Sequence, residues 1–571
     1  MRVLLIAVPL MERVDTEFIP LGMDRIRSSP PLGVYWLAAV LRQAGHAVDV
    51  LDLIAASRID VRKIQRHAGR AELVGISCNT LNWPTARVVV EHIKAVYPDL
   101  PIVLGGIHPG GYPEHVFSRC RADFIVAGEG EIPLVRLVEE LSGGRDFASV
   151  PGLGWRDGDK IRLQPNSGLA SVDAVESLPD PAYDLLPSGV YESLSIESAR
   201  GCKFKCTFCS TRFLGSWRGV SASNFVDRLE RLQPYLKRTR YKVFSIIDDL
   251  YTLDIQRVAD VTREVQRRGM KIQATLDARA TDVIRGEVCE ALAPITNHML
   301  IGAECGYDEG LKKIAKGCTT KVLERAAAML QAVGLSHKCV FSFVIGFPFE
   351  TREDCLKTIE FASKLLVKYN VRVYLQWYNT IPGSAIWEEL AAKGLVSIDM
   401  YDDFGFFTNE ALFKAGVHLP VDQIREISST IRSLNTLLLF TQPANDIIQF
   451  APPDWLFHEP TVDFPSHGVL ENGARPEPPP AVPDTMRRSD VAGLVGLERG
   501  KSRAAAALLP GGSREGTAHR PEGSGLPGRV RGCGVPPRHA SQGARRALPL
   551  ESPERGHAER VRRDLSSRGA W

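Results

Sequence analysis

The sequence lacks long apolar runs and a strong excess of charge of either sign. None of its apolar stretches reaches the length of a membrane span. The sequence has 70 Lys and Arg residues and 67 Asp and Glu residues, so its formal net charge is only +3. Nucleic-acid partners typically require a strongly basic surface. We therefore expect no membrane and no nucleic-acid partner.

Cysteine is present without a pattern that predicts disulfides. The 11 cysteines are odd in number, and several stand among apolar residues, such as Cys78, Cys289 and Cys339. That usage is typical of a reducing compartment. A short apolar run opens the chain but lacks a small-residue cleavage site, so we interpret it as a buried strand and not as a signal peptide. These features favour a cytoplasmic protein.

A chain of 571 residues is too long for one ordinary domain, and its patterns divide it into five parts. Strand and helix alternate twice, over residues 1–150 and 193–400, which predicts an α/β fold with parallel sheets. A proline-punctuated linker, 151–192, separates the two, and a helical extension is predicted over 401–450. Gly, Pro, Arg, Ala and Ser dominate 451–571, which predicts a disordered tail with no part in chemistry. A functional basic arm, indicated by the arginines between Arg555 and Arg568, stays open as an alternative.

Three cysteines within eight residues form the most informative motif. Cys202, Cys206 and Cys209 have the spacing CxxxCxxC and follow a strand-like segment. Three thiolates on one loop can hold three irons of a 4Fe–4S cluster and leave the fourth iron open to a small molecule. An electron-transfer cluster usually takes four cysteines, and structural zinc needs a fourth Cys or His. No such ligand follows at a useful spacing, but structural or zinc-bound cysteines stay open as an alternative.

The spacing resembles that of the radical S-adenosylmethionine (SAM) superfamily. The resemblance implies that the open iron binds the amino and carboxylate groups of SAM. It also implies that Phe208 is the aromatic residue kept before the last cysteine. Six strand-like segments between 193 and 400 fit a partial (β/α)6 radical SAM barrel with its chemistry at the carboxyl ends of the strands.

Further residues at predicted strand ends resemble SAM-binding positions of the superfamily. The resemblance implies that Asp248 and Asp249 meet the SAM ammonium through charge-assisted hydrogen bonds. It implies that Glu304 reaches the ribose hydroxyls. Gly346 and Glu350 belong to a Gly-Phe-Pro-Phe-Glu-Thr turn that is similar to the one near the adenine. A lone carboxylate at a strand end is more often a helix cap or one half of a surface ion pair, and this alternative stays open.

The strand ends of the first domain carry small and polar residues, and ligands of doubly wound sheets bind at such ends. The set resembles the Rossmann-like cobalamin-binding domain that precedes many radical SAM domains. The resemblance implies that Ser77, Gly105 and Gly106 surround the nucleotide tail of cobalamin. It implies that Gly128 and Glu129 belong to the cobalamin-binding turn before the last helix. No GxGxxG follows the first strand, which weakens the alternative of a dinucleotide site.

One departure from the cobalamin-binding pattern concerns the cobalt ligand. Many cobalamin mutases and methyltransferases carry an Asp-x-His-x-x-Gly loop after the first strand, and its His binds cobalt. Here that loop, Pro9–Val14, contains no histidine, so the resemblance implies a cobalamin without a protein imidazole on its lower face. His108 lies at a strand end and is a candidate ligand, but we interpret it as a loop residue that faces solvent or the ligand edge.

Together, the two domains resemble cobalamin-dependent radical SAM methyltransferases, many of which act in bacterial natural-product pathways. The resemblance implies that SAM is cleaved to a 5′-deoxyadenosyl radical and that an unactivated carbon of a small-molecule substrate is methylated. It also implies a reducing partner such as flavodoxin or ferredoxin.

Other functions stay open as alternatives. The same layout serves oxidative cyclases and ring-rearranging enzymes, such as the anaerobic cyclase of chlorophyll synthesis, in which no methyl group moves. A non-enzymatic cobalamin-binding module is a further alternative, although the complete cysteine motif argues against it. A methylthiotransferase is disfavoured, because its first domain should bring three more cluster cysteines, and Cys78 and Cys120 fall short.

Overall fold

The computed structural model describes most of the chain before the predicted tail. The described residues are 1–14, 17–20, 28–56, 59–158, 160–165, 171–210, 215–406, 409–441 and 448–450. The predicted tail, from 451 onward, lies outside them. Within these ranges, no helix combines the length and the apolar character that crossing a membrane would need.

The amino-terminal part of the chain forms a seven-stranded sheet, a small hairpin and seven helices. In chain order, the strands are β1 (Arg2–Ala7), β2 (Met11–Val14), β3 (Glu17–Pro20), β4 (Ala47–Asp52), β5 (Leu73–Ser77), β6 (Ile102–Gly105), β7 (Phe124–Val126), β8 (Leu153–Asp157) and β9 (Lys160–Leu163). The helices are α1 (Leu32–Gln43), α2 (Val61–Ala68), α3 (Trp83–Lys94), α4 (Ile107–Gly111), α5 (Pro113–Arg119), α6 (Glu131–Ser142) and α7 (Val172–Glu176).

The strand order of this sheet is β4-β1-β5-β6-β7-β8-β9. The first five strands in that order are parallel, and β1 is buried along five of its six residues. A strand covered by helices on both faces needs no polar side, which explains its continuous apolar run. The predicted α/β fold is confirmed here.

The linker 151–192 contains a hairpin that continues the first sheet. Its Asp157-Gly158 turn closes a hairpin, and strand β8 pairs antiparallel with β7. The hairpin therefore extends the first sheet by two strands instead of standing between domains. Pairing at this edge satisfies the backbone groups that β7 would otherwise leave open.

Residues from Ser193 onward form a second seven-stranded sheet, a short strand pair and ten helices. The strands are β10 (Ser193–Ile196), β11 (Ala199–Arg200), β12 (Arg218–Gly219), β13 (Val243–Ile246), β14 (Ala274–Ala278), β15 (Thr296–Glu304), β16 (Cys339–Ile345), β17 (Arg372–Trp377) and β18 (Ile448–Phe450). The helices are α8 (Ala222–Leu232), α9 (Ile255–Arg267), α10 (Ala280–Val283), α11 (Gly286–Leu292), α12 (Asp308–Lys313), α13 (Thr320–Ala332), α14 (Arg352–Tyr369), α15 (Ala385–Ala392), α16 (Glu410–Gly416) and α17 (Val421–Thr441).

Neighbouring strands of the second sheet follow the order of the chain, β10-β13-β14-β15-β16-β17-β18. Every neighbouring pair is parallel, as expected when helices such as α9 and α14 connect successive strands. The six strands of the predicted partial barrel are the first six of this sheet. Strand β18 adds a seventh, which the sequence did not indicate.

A polar cluster joins the helical extension to helices α3 and α5 of the first domain. Asp402 accepts a hydrogen bond from Trp83 Nε1 at 2.8 Å, lies 3.3 Å from His115 Nε2 and forms an ion pair of 3.1 Å with Arg119. Burial alone would raise the pKa of Asp402, but hydrogen bonds from His115 and Trp83 outweigh it and hold the pKa below its usual range. The carboxylate therefore fixes the extension against the first domain.

Replacing Asp402 with Ala should lower the free energy of unfolding by roughly 2 kcal/mol, because its buried partners would lose a shared carboxylate. Thermal unfolding of this variant can be compared with that of Asp403→Ala, a control at an exposed neighbour. Since the folded-state pKa of Asp402 is depressed, its contribution is present above the unfolded-state pKa and is lost as the pH falls through the folded-state value. Equal unfolding midpoints for the two variants at neutral pH would contradict this prediction.

Candidate active site

A cavity of about 530 Å³ lies between the first sheet and the start of the second domain. The first domain contributes all five of its residues predicted to bind cobalamin: Ser77, Gly105, Gly106, Gly128 and Glu129. The second domain contributes Glu197, Ala199, Arg200, Gly201, Arg218, Ile247 and Asp249. The structure thus brings the strand-end residues of the first domain together, on a cavity that also reaches the residue before the first cysteine of the motif.

Several of the residues that line the cavity are glycines, and their lack of a side chain leaves space for a ligand. A Cβ on Gly105 would meet its first neighbour, a backbone oxygen, only at 4.0 Å, and one on Gly111 would meet nothing within 4 Å. Deeper in the sheet, Gly75 leaves space between Leu5 and Val103, and all three line the cavity. An opening bordered by glycines with an apolar groove below it fits cobalamin, a flat macrocycle that carries a long nucleotide tail.

Gly106 differs from Gly105 in what it does for the fold. Its φ is +106°, and a Cβ there would lie 2.2 Å from the carbonyl oxygen of Cys78. Residues with a side chain rarely adopt this backbone conformation, so the fold requires glycine at position 106. At Gly105, by contrast, an added side chain would enter the cavity without that strain.

His108 faces neither solvent nor the cavity, so our interpretation of it was wrong. It is completely buried, its ring stacks on Trp83 with centroids 4.9 Å apart, and its Nδ1 lies 3.3 Å from Thr80 Oγ1. Burial lowers its pKa to about 3, which keeps the ring neutral. The short helix after Gly106 turns this side chain into the core between α3 and α5, and the described residues that line the cavity include no histidine.

The three cysteines of the motif lie on the loop after β11 as half-buried side chains that form no disulfide. The loop is held by its backbone: Thr207 N–H donates to the carbonyl of Ile314 at 3.0 Å, and Thr207 O accepts from Ile386 N–H at 2.9 Å. These bonds fix the loop without using the thiols. A set of three thiols on a fixed loop fits the three-thiolate ligation of a 4Fe–4S cluster.

Aromatic and cationic side chains surround this loop. Phe208 packs edge-on against Phe347, in the turn after β16, with centroids 5.8 Å apart. The guanidinium of Arg279 lies 3.7 Å from the centroid of Phe204, and its Nη1 lies 3.8 Å from Cys206 Sγ. Arg279 therefore places a positive charge beside the sulfur of one candidate cluster ligand. Sequence reasoning missed Arg279, because nothing around it distinguishes it from any arginine after a strand.

The two aspartates after β13 occupy different positions. Asp249 lines the cavity, and its Oδ2 accepts the Gly201 N–H at 3.0 Å. Asp248 is buried and accepts from the Ser198 N–H at 2.6 Å and from the Ser198 hydroxyl. Asp248 therefore braces the segment that leads into the cysteine loop, and a direct contact with SAM stays a prediction for both residues.

The remaining residues predicted to bind SAM are engaged within the chain. Glu304, at the end of β15, forms an ion pair of 2.8 Å with Lys316. Glu350 accepts from the N–H groups of Gly346 and Phe347, at 2.7 and 3.0 Å, and from the Tyr307 hydroxyl at 3.0 Å. Burial raises the pKa of Glu350 to about 7. Glu350 thus stabilises the turn that Gly346 opens, and contacts of these residues with SAM stay predictions.

Each of the two domains matches a known protein family. Residues 27–138 match the B12 binding domain, and residues 196–362 match the radical SAM superfamily. An uncharacterized methyltransferase of Pyrococcus horikoshii is 30% identical over 407 residues, which cover 68% of this chain and 86% of the relative. An anaerobic magnesium-protoporphyrin IX monomethyl ester cyclase of Rubrivivax gelatinosus is 26% identical over 411 residues, 68% of this chain and 70% of the relative.

Solved structures share the fold. The cobalamin-dependent SAM radical enzyme OxsB, with aqua-cobalamin and SAM bound, aligns with a TM-score of 0.56 at 19% identity, over 76% of this chain and 61% of OxsB. The radical SAM methyltransferase TsrM from Kitasatospora setae, with cobalamin and a 4Fe–4S cluster bound, aligns with a TM-score of 0.54 at 19% identity, over 69% of this chain and 75% of TsrM.

Cys206→Ala should abolish cluster assembly, because two thiolates cannot replace three. Iron and sulfide content after anaerobic reconstitution measures the effect. Cys318→Ala is the matched control: this thiol is also half-buried but lies outside the motif, so the variant should keep its full iron content. Iron loss in the Cys318 variant would mean that the ligand set is larger than the motif.

Gly105→Leu should weaken cobalamin binding by roughly tenfold or more, about 1.4 kcal/mol, because the side chain would occupy the cavity. Equilibrium dialysis with hydroxocobalamin measures the affinity. Gly144→Leu, at an exposed glycine whose Cβ would meet only the end of the Glu140 side chain, serves as the control. Unchanged affinity in the Gly105 variant would show that cobalamin binds elsewhere.

Proposed function

This chain belongs to the radical SAM enzymes that carry an amino-terminal cobalamin-binding domain, and from that membership we propose that it methylates an unactivated carbon of a small molecule. The observation that carries the proposal is the cavity shared by the strand ends of the first domain and the residues next to the cysteine motif. Its cofactors are cobalamin, SAM and a 4Fe–4S cluster. When bound, the cluster and SAM would supply a 5′-deoxyadenosyl radical, and cobalamin would supply the methyl group.

The chain itself contributes ligands, orientation and exclusion of water. Cys202, Cys206 and Cys209 would hold three irons, and Arg279 places a positive charge beside the Cys206 sulfur. Asp249, in the cavity wall, is the carboxylate that we assign to the SAM ammonium, with which it would form a charge-assisted hydrogen bond. Enclosure by two domains protects reactive species from water.

Methyl transfer is favoured over cyclisation by the comparison of relatives. The methyltransferase of Pyrococcus horikoshii is the more similar of the two relatives described above, and the match covers more of its length. The anaerobic cyclase is the second candidate, because its similarity also spans both domains. Both candidates keep the cluster, SAM and the same cavity, so they differ in the fate of the substrate radical.

We extend the proposal to the electron source and the compartment. An acidic carrier such as flavodoxin or ferredoxin would deliver the electron, which suits the exposed Lys203 and Lys205 within the cysteine loop. A cytoplasmic location suits the ten cysteines of the described ranges, none of which forms a disulfide.

A product assay separates the two candidate functions. Protein reconstituted anaerobically with iron, sulfide and hydroxocobalamin is given SAM and a strong reductant, and both SAM products are quantified by mass spectrometry. A methyltransferase should form S-adenosylhomocysteine together with 5′-deoxyadenosine. 5′-Deoxyadenosine alone would contradict methyl transfer and favour the cyclase. The Cys206→Ala protein, treated identically, should form no 5′-deoxyadenosine.

A further inference from the structure

A network of buried charges crosses from the cobalamin-binding domain to the cysteine loop. We call Arg200, Arg218, Glu129, Glu131 and Glu197 the Arg200 network. Arg200 pairs with Glu131 at 2.6 Å, with Glu129 at 3.4 Å and with Glu197. Arg218 pairs with Glu129 at 2.5 Å. All five residues line the cavity, so they form the wall where the two domains meet.

Arg200 is tied closely to the first cysteine of the motif. Only Gly201 separates it from Cys202, and Gly201 has a φ of +82° with its Cβ position 2.5 Å from the carbonyl oxygen of Ser216. The backbone of Gly201 therefore passes so close to that of Ser216 that no side chain fits between them. In the backbone, Arg200 is the strand partner of Arg218 in the antiparallel β11–β12 pair. The position of Arg200 therefore determines where the cysteine loop begins.

The other end of the network belongs to the first domain. Glu129 and Glu131 flank Gly130, at the start of helix α6, and the Arg200 guanidinium also lies 5.3 Å from the centroid of Trp36 in helix α1. Arg200 and Arg218 are only 13% and 8% exposed, so water screens these pairs weakly. Glu129, predicted from the sequence to contact cobalamin, is thus already held by two arginines.

Buried ion pairs between domains often contribute little net stability. Here, however, the same carboxylates line the cavity and hold the start of the cysteine loop. A ligand that orders the Glu129–Glu131 turn would also order Arg200, and a cluster that fixes the loop would also fix the turn.

We propose that Arg200 is a positioning residue that couples the two cofactor sites, so that cluster assembly and cobalamin binding strengthen each other. The inference rests on the proposed function only in requiring that both cofactors bind. By thermodynamic linkage, the factor by which the cluster increases the affinity for cobalamin equals the factor by which cobalamin increases the affinity for the cluster.

The test measures cobalamin affinity in the full-length chain with and without the cluster. Equilibrium dialysis with hydroxocobalamin, read out as protein-bound cobalt, gives a dissociation constant for each form. Unaltered protein should bind roughly tenfold more tightly when the cluster is present. In Arg200→Gln this ratio should approach one, and Arg200→Lys, which keeps the charge, should restore part of it.

Two further variants guard against loss of folding and non-specific effects. Glu131→Gln keeps the size of the side chain and removes one partner of Arg200, so it should also reduce the ratio. Arg231→Gln is the matched control. Arg231 lies outside the cavity lining, forms an ion pair of 2.6 Å with Asp180 and is 53% exposed. The ratio measured for this variant should equal that of the unaltered protein.

The outcomes distinguish this proposal from the proposed function. Cobalamin that binds with a ratio of one in unaltered protein overturns the coupling and leaves the function standing. An unchanged ratio in both Arg200→Gln and Glu131→Gln overturns the role of Arg200. If the unaltered protein binds no hydroxocobalamin or assembles no cluster, the proposed function and the coupling both fail.

Discussion

Strands β5, β6 and β7 of the first sheet and β10 and β13 of the second end at one cavity, and the other features of the site depend on this arrangement. Parallel strands leave polar backbone ends and loops at one edge, which is where ligands bind in such folds. Here the edge of the first sheet supplies glycines, and the second domain supplies Asp249 and Gly201, the residue before the first cysteine of the motif. Chemistry that uses a carbon radical and a methyl donor needs both cofactors at one enclosed place.

The junction between the domains combines open space with fixed charge. Gly75, Gly105 and Gly111 leave room for a bulky ligand, and the Arg200 network places charged groups in the wall of the same cavity. Buried charges are costly to desolvate, so a network at this point is better explained by positioning than by stability. Away from the cavity, the Asp402 cluster holds the extension against α3 and α5.

Much of this could be predicted from the sequence, because the informative signals are local. Continuous apolar runs predict the parallel strands, and the CxxxCxxC spacing predicts the cluster loop from eight residues. The strand-end residues Ser77 and Gly105 were predicted to share one site because parallel strands end at one edge, and both line the cavity.

The remaining features depend on partners far away in the chain. Trp83 and Asp402 are separated by 319 residues, and no local pattern joins them or predicts that His108 is buried beside Trp83. Arg200 stands next to the motif, yet its role depends on Glu129 and Glu131, about 70 residues earlier. Likewise, only the backbone conformation separates Gly106, which the fold requires, from Gly105, which borders open space.

The most direct test of the account is whether the two cofactors bind close to each other. Electron paramagnetic resonance of reconstituted protein, with cobalamin in its paramagnetic cob(II)alamin form and the cluster reduced, reports the magnetic interaction between them. The account predicts a dipolar interaction that broadens or splits both signals and disappears in Cys206→Ala. Two unperturbed signals, each equal to that of the protein with one cofactor, would place the cofactors far apart and contradict a shared site.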